Sequence, residues 1–163
     1  MAEDKNKEAM DRLEISLKRE LKRAIRYRES ISIILIECHI ENDQYRKSLF
    51  VPLFKQIAGI IRKTIRDEDT EIILGRNVLL ILPMTFLDGA HTVAHKIAKK
   101  VKDFKFKEAE GLSDFALHLL FGFANFPYDG SEKGELLEAA RANLAESREK
   151  LKNKISRRSA PEE

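Results

Sequence analysis

The chain has 163 residues, a length that fits one domain with a substantial core, and its 43% hydrophobic content is ordinary for a globular protein. With 35% charged residues the surface is well solvated, and a net charge of +3 is too small to argue for nucleic acid as a partner. A single cysteine, Cys38, excludes an internal disulfide, and no ligand cluster suggests zinc, so the sequence calls for no metal and no cofactor.

Met1 to Asn6 is charged, without the apolar region of a secretory leader, and no apolar stretch approaches the length that spans a bilayer. A cytoplasmic chain is the expectation. From residue 9 to about residue 28, Leu13, Leu17, Leu21 and Ile25 recur every four residues, one apolar stripe on a helix. Residues 1–28 are therefore read as an entry helix that packs on its own domain or serves as a seam for a homodimer or a docking protein. Its basic residues, Lys18 to Arg28, are interleaved with Glu14 and Glu20. Those from Arg148 to Arg158 lie beside Glu146 and Glu149, so both runs have the pattern of a solvated helix face.

Ile31 to Ile36 is a continuous β-branched apolar run, the signature of a strand covered on both faces. Asp43 can cap a helix carrying Leu49, Leu53, Phe54, Ile57, Ile61 and Ile65, with its regular part starting near Pro52, which lacks an amide. Glu71 to Leu74 and Val78 to Leu82 read as strands joined by a turn at Gly75-Arg76-Asn77. Asp88 to Phe104 is amphipathic and helical. Phe115 to Phe123 alternates large and small as a strand does. Pro127-Tyr128-Asp129-Gly130 is turn chemistry, and a final helix runs from about Glu132 to Asn153, with a fraying tail over 156–163. Residues 29–155 thus form one unit. Its element order implies an α/β sandwich: a central mixed, mostly antiparallel sheet flanked by helices, with the Ile31 and Phe115 strands at its centre.

Several phrases, in order, resemble GGDEF domains, the diguanylate cyclases. Arg66 and Asp69 stand at that family's spacing before the hairpin, where Gly75-Arg76-Asn77-Val78-Leu79 takes the place of Gly-Gly-Asp/Glu-Glu-Phe. Asn42-Asp43-Gln44-Tyr45 resembles the family's Asn-Asp-x-Tyr. Phe121 to Gly130 resembles its last major strand and Pro-x-Asp-Gly turn, and Ala140, Leu144 and Arg148 match its final helix.

The resemblance implies the family's three-layer fold and also marks where its chemistry is altered. The family joins two GTP molecules with metal ions held by carboxylates. Its first metal aspartate corresponds to Glu37 and the next acidic position to His39. The hairpin acids correspond to Asn77 and Val78, and the guanine-reading pair to Asn42 and Val51. Glu37 keeps a carboxylate on a longer arm, but with the hairpin acids and the guanine-reading acid gone the expectation is a catalytically inactive GGDEF-like domain that works in bacterial signalling through a protein partner or homodimer. The alternative is a receptor that binds cyclic di-GMP through Arg66 and Asp69, the family's inhibitory-site pair, with Arg62, Lys63 and Arg76 as further cations. As surface residues, Arg66 and Asp69 are expected to matter little to stability. His91 and His95, at i and i+4, are read as surface histidines, and His118 as a packing residue.

Overall fold

The structure is a computed structural model that describes residues 1–41, 43–110 and 116–159. The chain runs α1 (Ala2–Tyr27), β1 (Ile31–Ile40), α2 (Asp43–Thr64), β2 (Thr70–Leu74), β3 (Asn77–Pro83), α3 (Leu87–Asp103), β4 (Leu117–Phe126) and α4 (Lys133–Ser159). Four strands make one sheet in the order β2-β3-β1-β4. Every pairing among the described residues is antiparallel, so this part of the sheet holds none of the parallel contacts that "mixed" allowed.

Alternation along the strands divides the interior in two. Ile31, Ile33 and Leu35 point to the layer of α1 and α4, where they meet Leu13, Leu17, Leu21, Leu136, Ala140 and Leu144. Ile34 and Ile36 point the other way, into Leu53, Ile57, Ile61, Ala90, Ala94 and Ile97 of α2 and α3. All six residues from Ile31 to Ile36 are buried, as the unbroken apolar run demands, even though the sheet is antiparallel. At roughly 25 cal/mol per Å² of apolar surface, these two layers are the main stabilising term.

Four expectations are corrected by this packing. The α1 stripe closes on Ala24, 1% exposed, while Ile25 is 62% exposed, because a 3.6-residue period drifts off a strict four-residue spacing. Along that stripe the helix packs on its own sheet. Pro52 lies inside α2 rather than at its start, and Gln56 Nε2 donates to the Pro52 carbonyl at 3.2 Å. Burial of Leu53, Phe54, Ile57, Ala58 and Ile61 on the following turns outweighs the amide that proline lacks. β4 is an edge strand among the described residues, because β1 spends one edge on β3 and the other on β4. Finally, α4 stays helical to Ser159, six residues beyond Asn153, into the stretch read as a fraying tail.

Gly122 sets the distance between β4 and α4. A Cβ at this position would strike the Ala140 carbonyl oxygen and the Leu144 backbone, so only glycine allows the helix this close. That approach brings Arg148, one turn past Leu144, over the end of β1.

Candidate functional site

Two polar clusters lie at opposite ends of the sheet. At the first, β2 and β3 are joined by Gly75 and Arg76 alone, with Leu74 paired to Asn77. Gly75 has φ of 61° and Arg76 does not, so positive φ falls on the first central residue only, as in a type II′ turn. Asn77 is therefore both the fourth residue of the turn and the first of β3. It faces Glu37 directly across the β1–β3 ladder, so the two side chains share a face of the sheet. Val78 points to the opposite face and is fully buried between β1 and α2. The Arg76 guanidinium lies 4.6 Å from the centre of the Phe50 ring, a cation–π contact with α2.

Glu37 does not point into open space. Arg148 grips it with both arms of its fork, Nε to Oε2 at 2.8 Å and Nη2 to Oε1 at 2.9 Å. This charge-assisted pairing raises the arginine pKa above its usual value, the hydrogen bond to Glu37 being the main cause. The sequence placed Arg148 on the last helix but carried no sign of its partner, because the contact spans 111 residues. Further along β1, His39 faces His118 with ring centres 6.3 Å apart. His118 Nε2 lies 2.9 Å from Glu41 Oε2, so the residue read as packing is a hydrogen-bonding one. Cys38, on the other face, has its thiol pushed up to about 12, first by burial and then by the neighbouring Glu37 charge. Asn42 lies outside the described residues.

At the opposite end, Arg66 and Asp69 close on each other across the turn into β2. The Arg66 amide donates to Asp69 Oδ2 at 2.8 Å, and Nη2 reaches Oδ1 at 3.2 Å. The same Nη2 meets the Pro83 carbonyl at 2.9 Å and Thr85 Oγ1 at 2.8 Å, while Nη1 lies 3.3 Å from Glu68. Asp69's side chain is 1% exposed. This pair, expected to be a surface feature of little structural weight, ties the end of α2 to the loop after β3. Thr85 continues the network: its carbonyl accepts from Ser32 Oγ at 2.8 Å. Buried Asn125 places Nδ2 2.8 Å from Ser30 Oγ and 3.0 Å from Ser32 Oγ. Neither serine nor Asn125 was singled out by pattern, because short polar residues in a strand look like loop signals until their partners are known.

Beside Arg66 is a polar cavity of about 610 Å³ lined by Arg12 of α1, Arg62, Arg66, Asp67, Asp69 and Glu71. Arg62 Nη2 donates to Glu71 Oε1 at 3.1 Å, and Glu71 Oε2 is buried without a hydrogen-bond partner. Burial raises the Glu71 pKa, opposed by the bond to Arg62. Of the other two cations considered for this end, Arg76 is at the hairpin, stacked on Phe50, and Lys63 does not line the cavity. His91 and His95 are exposed as expected, with the His91 ring centre 4.0 Å from that of Phe123. No group of three or more His, Cys, Asp or Glu side chains is arranged to hold a metal among the described residues. No helix described is long and apolar enough to cross a membrane.

Comparison with known proteins agrees with this architecture. The chain is similar to the isolated GGDEF domain of TpbB (YfiN) from Pseudomonas aeruginosa, with a TM-score of 0.72 and 21% identity over 83% of this chain and 80% of that one. It is similar to the GGDEF domain of DgcB from Caulobacter crescentus, solved in complex with c-di-GMP, with a TM-score of 0.69 and 18% identity over 83% and 82%. It also resembles the diguanylate cyclase SiaD of Pseudomonas aeruginosa, solved with its activator SiaC, with a TM-score of 0.69 and 18% identity over 83% of this chain and 52% of that one. No curated protein matches the sequence. The sequence profile of the family described as diguanylate cyclase, GGDEF domain, matches residues 6–154, nearly the whole chain, and the chain belongs to that family.

Proposed function

We propose that this GGDEF domain does not make cyclic di-GMP and acts instead as a regulatory, protein-binding module in cyclic di-GMP signalling. One observation carries the reading: Glu37, the carboxylate corresponding to the family's first metal ligand, is held in both arms of Arg148. Its cross-strand neighbour is Asn77, and the next hairpin position is Val78, which faces the core where no charged side chain could be ionised cheaply. Val51, at the guanine-reading position, is an exposed apolar residue. The residues present therefore do not fit a magnesium pair, which needs anionic oxygens in strict geometry. Loss of such electrostatic stabilisation costs about two to three orders of magnitude per group. The test is incubation of the purified chain with GTP and magnesium or manganese. No cyclic di-GMP above a no-protein control is expected, and clear product would overturn the reading.

A protein partner is part of the proposal, as SiaD's complex with SiaC illustrates for one relative of the same fold. A second reading has its own support: Arg12, Arg62 and Arg66 line, together with Asp67, Asp69 and Glu71, a polar recess at the family's inhibitory-site position. In it the chain would bind cyclic di-GMP without making it. Since Arg66 is committed to Asp69, Pro83 and Thr85, the phosphates would meet Arg12 and Arg62 first. Titration calorimetry with cyclic di-GMP decides this. Heat that disappears in Arg62→Ala supports the receptor; no heat at saturating ligand removes it.

A further inference from the structure

Among the described residues, the edge of β4 is protected at one end and unpaired at the other. The Glu41 amide bonds the Ala116 carbonyl, so alternation turns the backbone groups of Leu117, Leu119, Phe121, Phe123 and Asn125 away from β1. Asp129 meets Asn125 through two hydrogen bonds, its carboxylate accepting from the Asn125 amide and its own amide donating to the Asn125 carbonyl. Asn143 of α4 accepts from the Phe123 amide at 2.8 Å, and Ser147 donates to the Phe121 carbonyl at 3.0 Å. One turn later α4 presents Leu151, which has no polar group to offer. The outward amides and carbonyls of Leu117 and Leu119 make no hydrogen bond among the described residues. Unpaired edge groups of this kind are a template for another strand.

Alongside that bare stretch is a cavity of about 700 Å³, whose walls include Val101, Phe104, Phe106, Leu117 and Leu119. Its charged lining is Lys102 and Lys105, against one acid, Glu110, with His118 already hydrogen-bonded to Glu41. We propose that the Leu117–Leu119 edge accepts an extended, acidic segment of a partner protein as an added strand. Its backbone bonds to Leu117 and Leu119, an apolar side chain fills the cavity, and acids two residues to either side, on the same face of the added strand, meet Lys102 and Lys105. A second copy of this chain fits less well, since a two-fold axis at this edge would bring both copies' Lys102 and Lys105 to one junction. This deepens the interaction-module reading and rests on it only for the partner being a protein. GTP turnover is a separate measurement, so either can fail alone.

The experiment follows amide exchange and chemical shifts by NMR in the full chain. In the chain alone, the Leu117 and Leu119 amides should exchange fast and the Phe123 amide slowly. The probe is an acetylated and amidated peptide, Asp-Thr-Val-Thr-Glu-Thr, whose acids and valine share one face, at about 1 mM, where weak strand addition is visible. It should shift and slow the Leu117 and Leu119 amides, whereas the lysine version, Lys-Thr-Val-Thr-Lys-Thr, should bind roughly fivefold more weakly. Leu119→Pro removes an outward amide without touching the β1 ladder and should abolish binding. Lys102→Glu with Lys105→Glu, which leaves the strand intact, should reverse the charge preference. Protection of Leu117 and Leu119 in the chain alone would overturn the proposal, and so would concentration-dependent dimers that protect them. An acidic peptide that binds no better than the lysine one, or not at all, would do the same.

Discussion

The two ends of the sheet contain similar residues and use them differently. At the hairpin end Glu37 and Arg148 meet in a half-exposed pair, with side chains 23% and 49% exposed, above a turn whose next residue is buried valine. At the other end Asp69 is 1% exposed, and Arg66 shares hydrogen bonds with a carbonyl and a threonine hydroxyl that lead to Asn125. An arginine–carboxylate pair that solvent reaches adds little to stability. One that also satisfies buried groups cannot lose a member without stranding them. The difference separates a place where two charged side chains neutralise each other in reach of solvent from a place where they are part of the frame.

The largest expected effect tests the frame. Asn125→Ala strips the donor from Ser30, Ser32 and the Ile31 carbonyl, all buried, and should cost about 2–4 kcal/mol in urea unfolding. A loss under about 0.5 kcal/mol would mean that the network carries no structural weight. Next comes Arg66→Ala, which leaves Asp69 with the Arg66 amide but without its counter-charge and should cost about 1–3 kcal/mol. That variant also bears on the receptor reading, so its stability must be measured before any loss of ligand binding is assigned to contact.

At the hairpin end the same chemistry should give a smaller number. Arg148→Ala is expected to cost no more than about 1 kcal/mol, and the double variant with Glu37→Ala should show a coupling of similar size. If Arg148→Ala proved as costly as Arg66→Ala, the contrast between the two ends would be lost.

The smallest effect is one of pH. Burial holds the Glu71 pKa above its ordinary value, so its contribution to stability is fully present below the unfolded-state pKa. That contribution is lost as pH rises through the higher folded-state pKa. Relative to wild type, Glu71→Gln should therefore gain stability as pH rises through that window. Denaturation midpoints compared at pH 4 and pH 7 check the sign, and a relative loss would contradict it.

Much of the fold was readable because periodicity reports burial. The Ile31–Ile36 run and the α3 repeat name their buried faces from local spacing alone, whereas the large residues of β4, Phe121 and Phe123, are half-buried against one helix layer and Leu120, Gly122 and Ala124 on the other face are the fully covered ones. Placement of β4 was not readable, since alternation says which side of a strand is covered and nothing about which strand lies beyond it. Pro52 misled for a related reason: a local rule set the helix start, and the apolar face beneath α2 overrode it. Among the site residues, the resemblance to the family marked Glu37, Asn77, Val78, Arg66 and Asp69 as the positions to inspect.

What those residues touch came only from the tertiary structure. Composition and order by themselves determined an α/β sandwich, the family's motif positions and the absence of carboxylates at the hairpin. Which cation neutralises Glu37, why Arg66 is bound inward and which strand is at the edge among the described residues depend on contacts between residues dozens of positions apart. Hydrophobic periodicity is a property of neighbours along the chain, whereas a charge pair or a free strand edge is a property of neighbours in space. The close approach at Gly122 converts one into the other, because it sets α4 against β4 and so decides that Arg148 meets Glu37 while Leu151 leaves Leu119 uncapped.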